Sequence, residues 1–133
     1  MNMIATTQDQ SQRLLRCGVS ADTADMSWVV LSDDTETLTA IPNLAQSEVI
    51  NYPAWSLSRL LELLPKRIND EYNYQKYGFK IEYSLTFNDA PWQITYKGGT
   101  LVKPGYFFDK SPIEACVKAI EWLTENGYKL NEQ

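Results

Sequence analysis

Between positions 79 and 88, Phe79, Ile81, Tyr83, Leu85 and Phe87 alternate without a break with Lys80, Glu82, Ser84, Thr86 and Asn88. Only an extended strand sends every second side chain to one face, so this stretch demands a sheet with one face on a core. Asn88-Asp89-Ala90-Pro91 then reads as a turn, after which Trp92, Ile94 and Tyr96 resume the same period. Gly98-Gly99 accepts the positive-φ turns that match strand twist, which predicts a further strand over 100–103. Pro104-Gly105 interrupts it, and Tyr106 to Phe108 lead towards a final helix.

That helix carries start and stop signals together. Ser111 stands as N-cap, Pro112 at the first helical position and Glu114 at capping-box spacing. Asn126-Gly127 ends it, with Tyr128 placed to pack back on Leu123. Around the helix, Glu114, Lys118, Glu121 and Glu125 fall in a narrow polar arc. Ile113, Cys116, Val117, Ile120 and Leu123 form the apolar stripe, which Ala115, Ala119 and Trp122 widen. A surface helix buries one such stripe. The wider arc predicts a sheet below and a second neighbour alongside, with the Leu57 to Leu64 helix the intramolecular candidate.

Two helices are marked upstream. Thr7 and Gln10 stand at capping-box spacing for a helix over 8–17, and Gly18 with Val19 suits a Schellman ending on Leu14. Ser56 is the N-cap of the second, with Trp55 and Leu60 as a hydrophobic staple. Leu57, Leu60, Leu61 and Leu64 share one face until Pro65 stops the helix. Ser20 to Met26 allows one more turn. Trp28 to Leu31 reads as a short strand with a return over 38–41, and Val49 to Tyr52 as a segment touching the sheet. Residues 43–53 read as connection and 66–71 as a short turn, while 69–78 is polar but carries Tyr72, Tyr74 and Tyr77.

These signals predict a single α+β domain over 1–133: an antiparallel sheet of three to five strands, with about three helices, two packed on one sheet face. At 133 residues the chain buries a core without metal or disulfide. The first twelve residues hold no apolar run and no basic leader, which predicts a cytoplasmic protein without a signal peptide. No stretch of about 18 apolar residues occurs, so no membrane partner is expected. Cys17 and Cys116 read as two reduced thiols.

The chemistry is bounded mostly from the negative side. The chain has no histidine, which removes Ser-His and Cys-His nucleophiles and histidine metal sites. Asp33, Asp34 and Glu36 lack the glycine and spacing of a calcium loop. Asp109 and Glu114 read as helix-start residues rather than as paired acids. Gly98, Gly99 and Gly105 form no phosphate loop. No catalytic, cofactor-binding or metal-ligating residue is therefore assigned.

Tyrosines 72, 74, 77, 96 and 106 lie among Lys66, Arg67, Lys76, Lys97 and Lys103, a mixture able to stack and neutralise a single strand of nucleic acid. Twelve basic against seventeen acidic residues, a formal charge of −5, oppose that reading. The candidate interaction surface is Tyr52 with Trp55, and Trp122 with Tyr128. Each of these four residues has an alternative role in core or cap.

Three stretches carry a resemblance. They are Leu14 to Val19 continuing to Thr23-Ala24-Asp25-Met26, then Pro53 to Pro65, then Ser111 to Leu123. Together they resemble uncharacterised small proteins of Bacteroides-type gut bacteria and their phages or integrated elements. The resemblance covers nearly the whole chain, implies a cytoplasmic or phage-associated setting, and brings no catalytic residue. The expected function is an accessory protein acting by protein–protein interaction, with an unidentified protein partner or by self-association. A nucleic-acid-binding accessory and a hydrolase with an unrecognised carboxylate site are the alternatives.

Overall fold

The computed structural model describes residues 4–30, 35–40, 50–70, 75–83, 92–98, 101–102 and 107–131. Along the chain the elements are α1 (Gln8–Arg16), β1 (Met26–Val30), β2 (Glu36–Thr39), β3 (Ile50–Ala54) and α2 (Leu57–Leu63). There follow β4 (Arg67–Asp70), β5 (Gln75–Tyr83), β6 (Trp92–Gly98), β7 (Leu101–Val102), β8 (Phe107–Asp109) and α3 (Pro112–Glu125). The fold is α+β, as the periodicities require.

The strands form two antiparallel sheets where one was expected. The first has the order β2-β1-β3, the second β4-β5-β6-β7, with β8 also paired to β6. In the second sheet Gly78 to Tyr83 pair with Lys97 to Trp92, so β5 covers one edge of β6. β7 and β8 share the other edge, at Lys97-Gly98 and at Trp92 to Ile94. The strand expected from Phe79 starts earlier, at Gln75, and its positions beyond Tyr83 lie outside the described residues. Residues 67–70, expected as a turn, form β4. Only Ile68 in that segment is a strong apolar signal; it is buried, and the strand exists through its pairing with β5.

Helix ends follow their local chemistry. Thr7 and Gln10 form a reciprocal capping box on α1. Gly18, at φ +98°, lets its own amide and that of Val19 bond to Leu15 and Leu14 carbonyls at 3.1 and 3.0 Å. Gly127, at φ +79°, does the same for α3: its amide reaches Thr124 at 3.2 Å and that of Tyr128 reaches Leu123 at 2.9 Å. Both ends are Schellman motifs, and a left-handed position costs glycine least.

Ser56 accepts from the Arg59 amide at the start of α2. That helix stops before Pro65, and the C-terminal segment satisfies its open carbonyls. The Asn131 amide group donates to Glu62 and Leu64 oxygens at 3.0 and 3.1 Å, and its backbone N–H to Leu63 at 2.9 Å.

One core cluster joins Leu14, Trp55, Leu60, Leu63, Ile68, Ile94 and the apolar face of α3. Ala115, Ala119, Ile120 and Leu123 are fully buried. α3 contacts α1, α2, β6 and β8, which explains why its apolar arc is wider than a single stripe. The main neighbour of α2 is α3 itself. Small alanines in α3 admit the close approach of flanking elements.

The box expected at the start of α3 is half replaced. Ser111 Oγ accepts from the Ile113 and Glu114 amides, but the Ser111 amide is taken by Asp109 at 2.9 Å. Glu114 instead receives Arg13 of α1, through Nη1 at 2.7 Å and Nη2 at 2.9 Å. The same guanidinium reaches Glu121, two helical turns on, at 3.3 and 2.5 Å. Gln10 also donates to Glu114 at 3.0 Å. The polar arc of α3 is thus in part an interhelical seam, and the two carboxylates push the Arg13 pKa up.

Candidate interaction surface

β1 is the middle strand of the small sheet, and its residues alternate between two environments. Ser27 and Val29 are buried, while Met26, Trp28 and Val30 are half-buried. Trp28 lies directly opposite Leu38 on β2 and Tyr52 on β3. Residues directly opposite each other share a face. Leu38, Trp28 and Tyr52 therefore form one row across all three strands, and all three are half-buried. The Trp28 and Tyr52 rings stack, with centroids 6.4 Å apart and planes 29° apart.

The polar edges of the row are held. Trp28 Nε1–H donates to the Thr6 carbonyl at 2.8 Å. The Tyr52 hydroxyl donates to Glu36 at 3.4 Å, at the exposed end of β2. Burial and the nearby Glu36 charge push the Tyr52 pKa up to about 12, so the phenol is neutral at physiological pH. The described residues of β1, β2 and β3 include Glu36 and no lysine or arginine. The row is apolar, aromatic and acid-rimmed.

The four candidate residues separate. Tyr52 lies in this row, but its partner is Trp28 and not Trp55 as expected. Trp55 is fully buried and belongs to the core, which corrects its assignment to a surface. Its indole N–H donates to Thr23 Oγ1 at 2.9 Å and its amide to Thr6 Oγ1 at 3.0 Å. Trp122 and Tyr128 do stack, with centroids 5.7 Å apart, and both are half-buried against the core. The structure places this second pair beside the C-terminal end of α3, away from any strand of the small sheet in sequence.

The sequence pattern did not single out half-buried Trp28 and Leu38 as neighbours of Tyr52. The signal was present in Trp28 standing two before Val30 and flanked by Ser27, but only the register shows which face is less covered.

Several polar and charged residues elsewhere are committed to structure. Ser56 Oγ donates to Asp25 at 2.5 Å and also caps α2, so it is not a free nucleophile. Arg59 donates to the Thr23 carbonyl and pairs with Glu62. Arg13, Arg16, Cys17, Glu121 and Glu125 line an open groove of about 280 Å³ between α1 and α3. Among the described residues no three His, Cys, Asp or Glu side chains converge as metal ligands. Burial pushes the Cys116 thiol up to about 12, leaving it a packed apolar group. No described helix is long and apolar enough to cross a membrane.

In comparisons with known proteins, the chain matches no family model, no curated protein and no solved structure.

Proposed function

We propose that the protein is a small accessory factor acting by protein–protein interaction, through the Leu38–Trp28–Tyr52 face. The observation that supports this reading is the in-register row itself: three large apolar side chains, two of them stacked, on the less buried side of a sheet. Aromatic residues dominate interface energetics because each buries a large area at little cost in side-chain entropy. The resemblance adds a cytoplasmic or phage-associated setting. The absence of lysine and arginine from β1, β2 and β3, with the overall charge of −5, favours this reading of the face over nucleic-acid binding.

Capture from lysate by immobilised full-length protein, with solution mass measured alongside, provides the test. A specific partner, or a second copy, should be retained by the parent and by Leu15→Glu, whose site on α1 is exposed. Leu38→Glu should lose it while keeping the thermal transition of the parent. Equal retention by both variants, or a strict monomer that retains nothing, would overturn the reading. Salt-sensitive binding of a labelled single-stranded oligonucleotide would move the assignment to nucleic acid.

A further inference from the structure

Resting on the interaction reading, we infer that the small sheet takes a cationic segment of a partner protein, an arginine-bearing strand with apolar neighbours. Three features converge on that chemistry. First, two aromatic rings lie side by side on the less buried face, and an aromatic face attracts a guanidinium or ammonium through its quadrupole. Second, the Glu36 carboxylate sits at the Tyr52 hydroxyl, 3.4 Å away, and Glu36 itself is exposed. Third, β1, β2 and β3 themselves carry no lysine or arginine that would compete for either.

A guanidinium laid on Tyr52 reaches the carboxylate beside it. The planar fork of arginine suits both contacts, stacking through its face and donating through its edge. Apolar side chains flanking the arginine in the partner would then meet Leu38 and Trp28. Because Trp28 is anchored through its indole N–H to Thr6, its ring is presented without a free polar edge. An acidic or phosphorylated segment finds only repulsion from Glu36.

The test uses the full chain and three acetylated pentapeptides of alternating leucine with arginine, citrulline or glutamate. Citrulline keeps the shape of arginine and removes its charge. Indole N–H signals are followed by heteronuclear NMR, with Trp28 assigned from Trp28→Phe. The arginine peptide should shift the Trp28 signal saturably and leave Trp122 in place. It should bind roughly 5- to 20-fold more tightly than the citrulline peptide, the sum of an exposed ion pair and a cation–π contact. Glu36→Gln should cost roughly 2- to 5-fold, and Tyr52→Leu should cut the preference for arginine to the roughly 2- to 5-fold that the Glu36 ion pair alone supplies.

Equal binding of arginine and citrulline peptides overturns the cationic inference and leaves the interaction face standing. Shifts confined to Trp122, or no shift at Trp28 at millimolar arginine peptide, overturn it too. The interaction reading falls separately, by the capture experiment with Leu38→Glu.

Discussion

Replacing Arg13 with methionine keeps a long apolar stem and removes one guanidinium. In the folded protein that group meets Glu114 twice and Glu121 twice, at distances from 2.5 to 3.3 Å. The side chains of Arg13, Glu114 and Glu121 are 23%, 17% and 30% exposed, so the cluster is neither a solvated surface pair nor a dry one. A surface pair contributes about 0–1 kcal/mol. Removing one partner from a buried pair costs about 3–5 kcal/mol. With two carboxylates stranded on the same face of α3, Arg13→Met should cost about 2–3 kcal/mol.

For a chain of this size that loss lowers Tm by roughly 10 °C. Urea unfolding followed by tryptophan emission measures the loss directly, with the slope unchanged. The order of effects is as informative as the size. Glu114→Gln and Glu121→Gln each leave Arg13 a remaining carboxylate and should cost less than Arg13→Met. Double-mutant cycles should show coupling of about 1 kcal/mol between Arg13 and each acid. A loss below about 0.5 kcal/mol for Arg13→Met, or additive double variants, would refute the seam as a source of stability.

Three further outcomes are expected. Ellman's reagent at pH 8 should titrate Cys17, which lines the open groove, and reach Cys116 only on unfolding; two fast thiols would contradict the packing of α3. Stability should fall in alkali, because the fold raises Tyr52 from 10.0 and Cys116 from 9.0 to about 12, so the unfolded chain ionises first. The stabilisation is whole below pH 9 and lost as pH rises towards 12, a slope that Tyr52→Phe should reduce. Asn131→Ala should destabilise by about 1–2 kcal/mol in urea unfolding, since it frees two carbonyls at the end of α2; no change would mean water replaces it at no cost.

How much could be read in advance depended on distance along the chain. Thr7 with Gln10, Gly18 with Val19, Ser56 and Gly127 with Tyr128 act within six residues, and each forms the bond its spacing implies. Glu114 shows where the same rule stops. It stands three residues after Ser111 as Gln10 stands after Thr7, yet Arg13, 101 positions away, takes its carboxylate. A bidentate guanidinium contact takes the Glu114 carboxylate while Asp109 takes the Ser111 amide, and spacing from Ser111 reports neither.

The Leu38–Trp28–Tyr52 row was less legible for the same reason. Tyr52 was singled out as a candidate, but its stacking partner comes from a strand 24 positions earlier, and Trp55, an aromatic three positions on, points into the core. β4 was missed because a strand with one buried apolar residue exists only through its neighbour. The division into two sheets likewise follows from pairing, which local periodicity leaves open.

Thr6 touches both tryptophans of the first half of the chain: its carbonyl receives the indole of Trp28, and its hydroxyl receives the amide of Trp55. The two attachments differ in how heritable they are. Thr6→Val would remove the second, while the first belongs to the backbone and survives any side chain at that position. One residue therefore stands between an outward ring and an inward one, and its own N–H also donates to the Trp55 carbonyl at 2.9 Å. An occupant that shifts Trp28 is therefore expected to change the emission of buried Trp55 as well, and an unchanged Trp55 signal on binding would show the two rings to be independent.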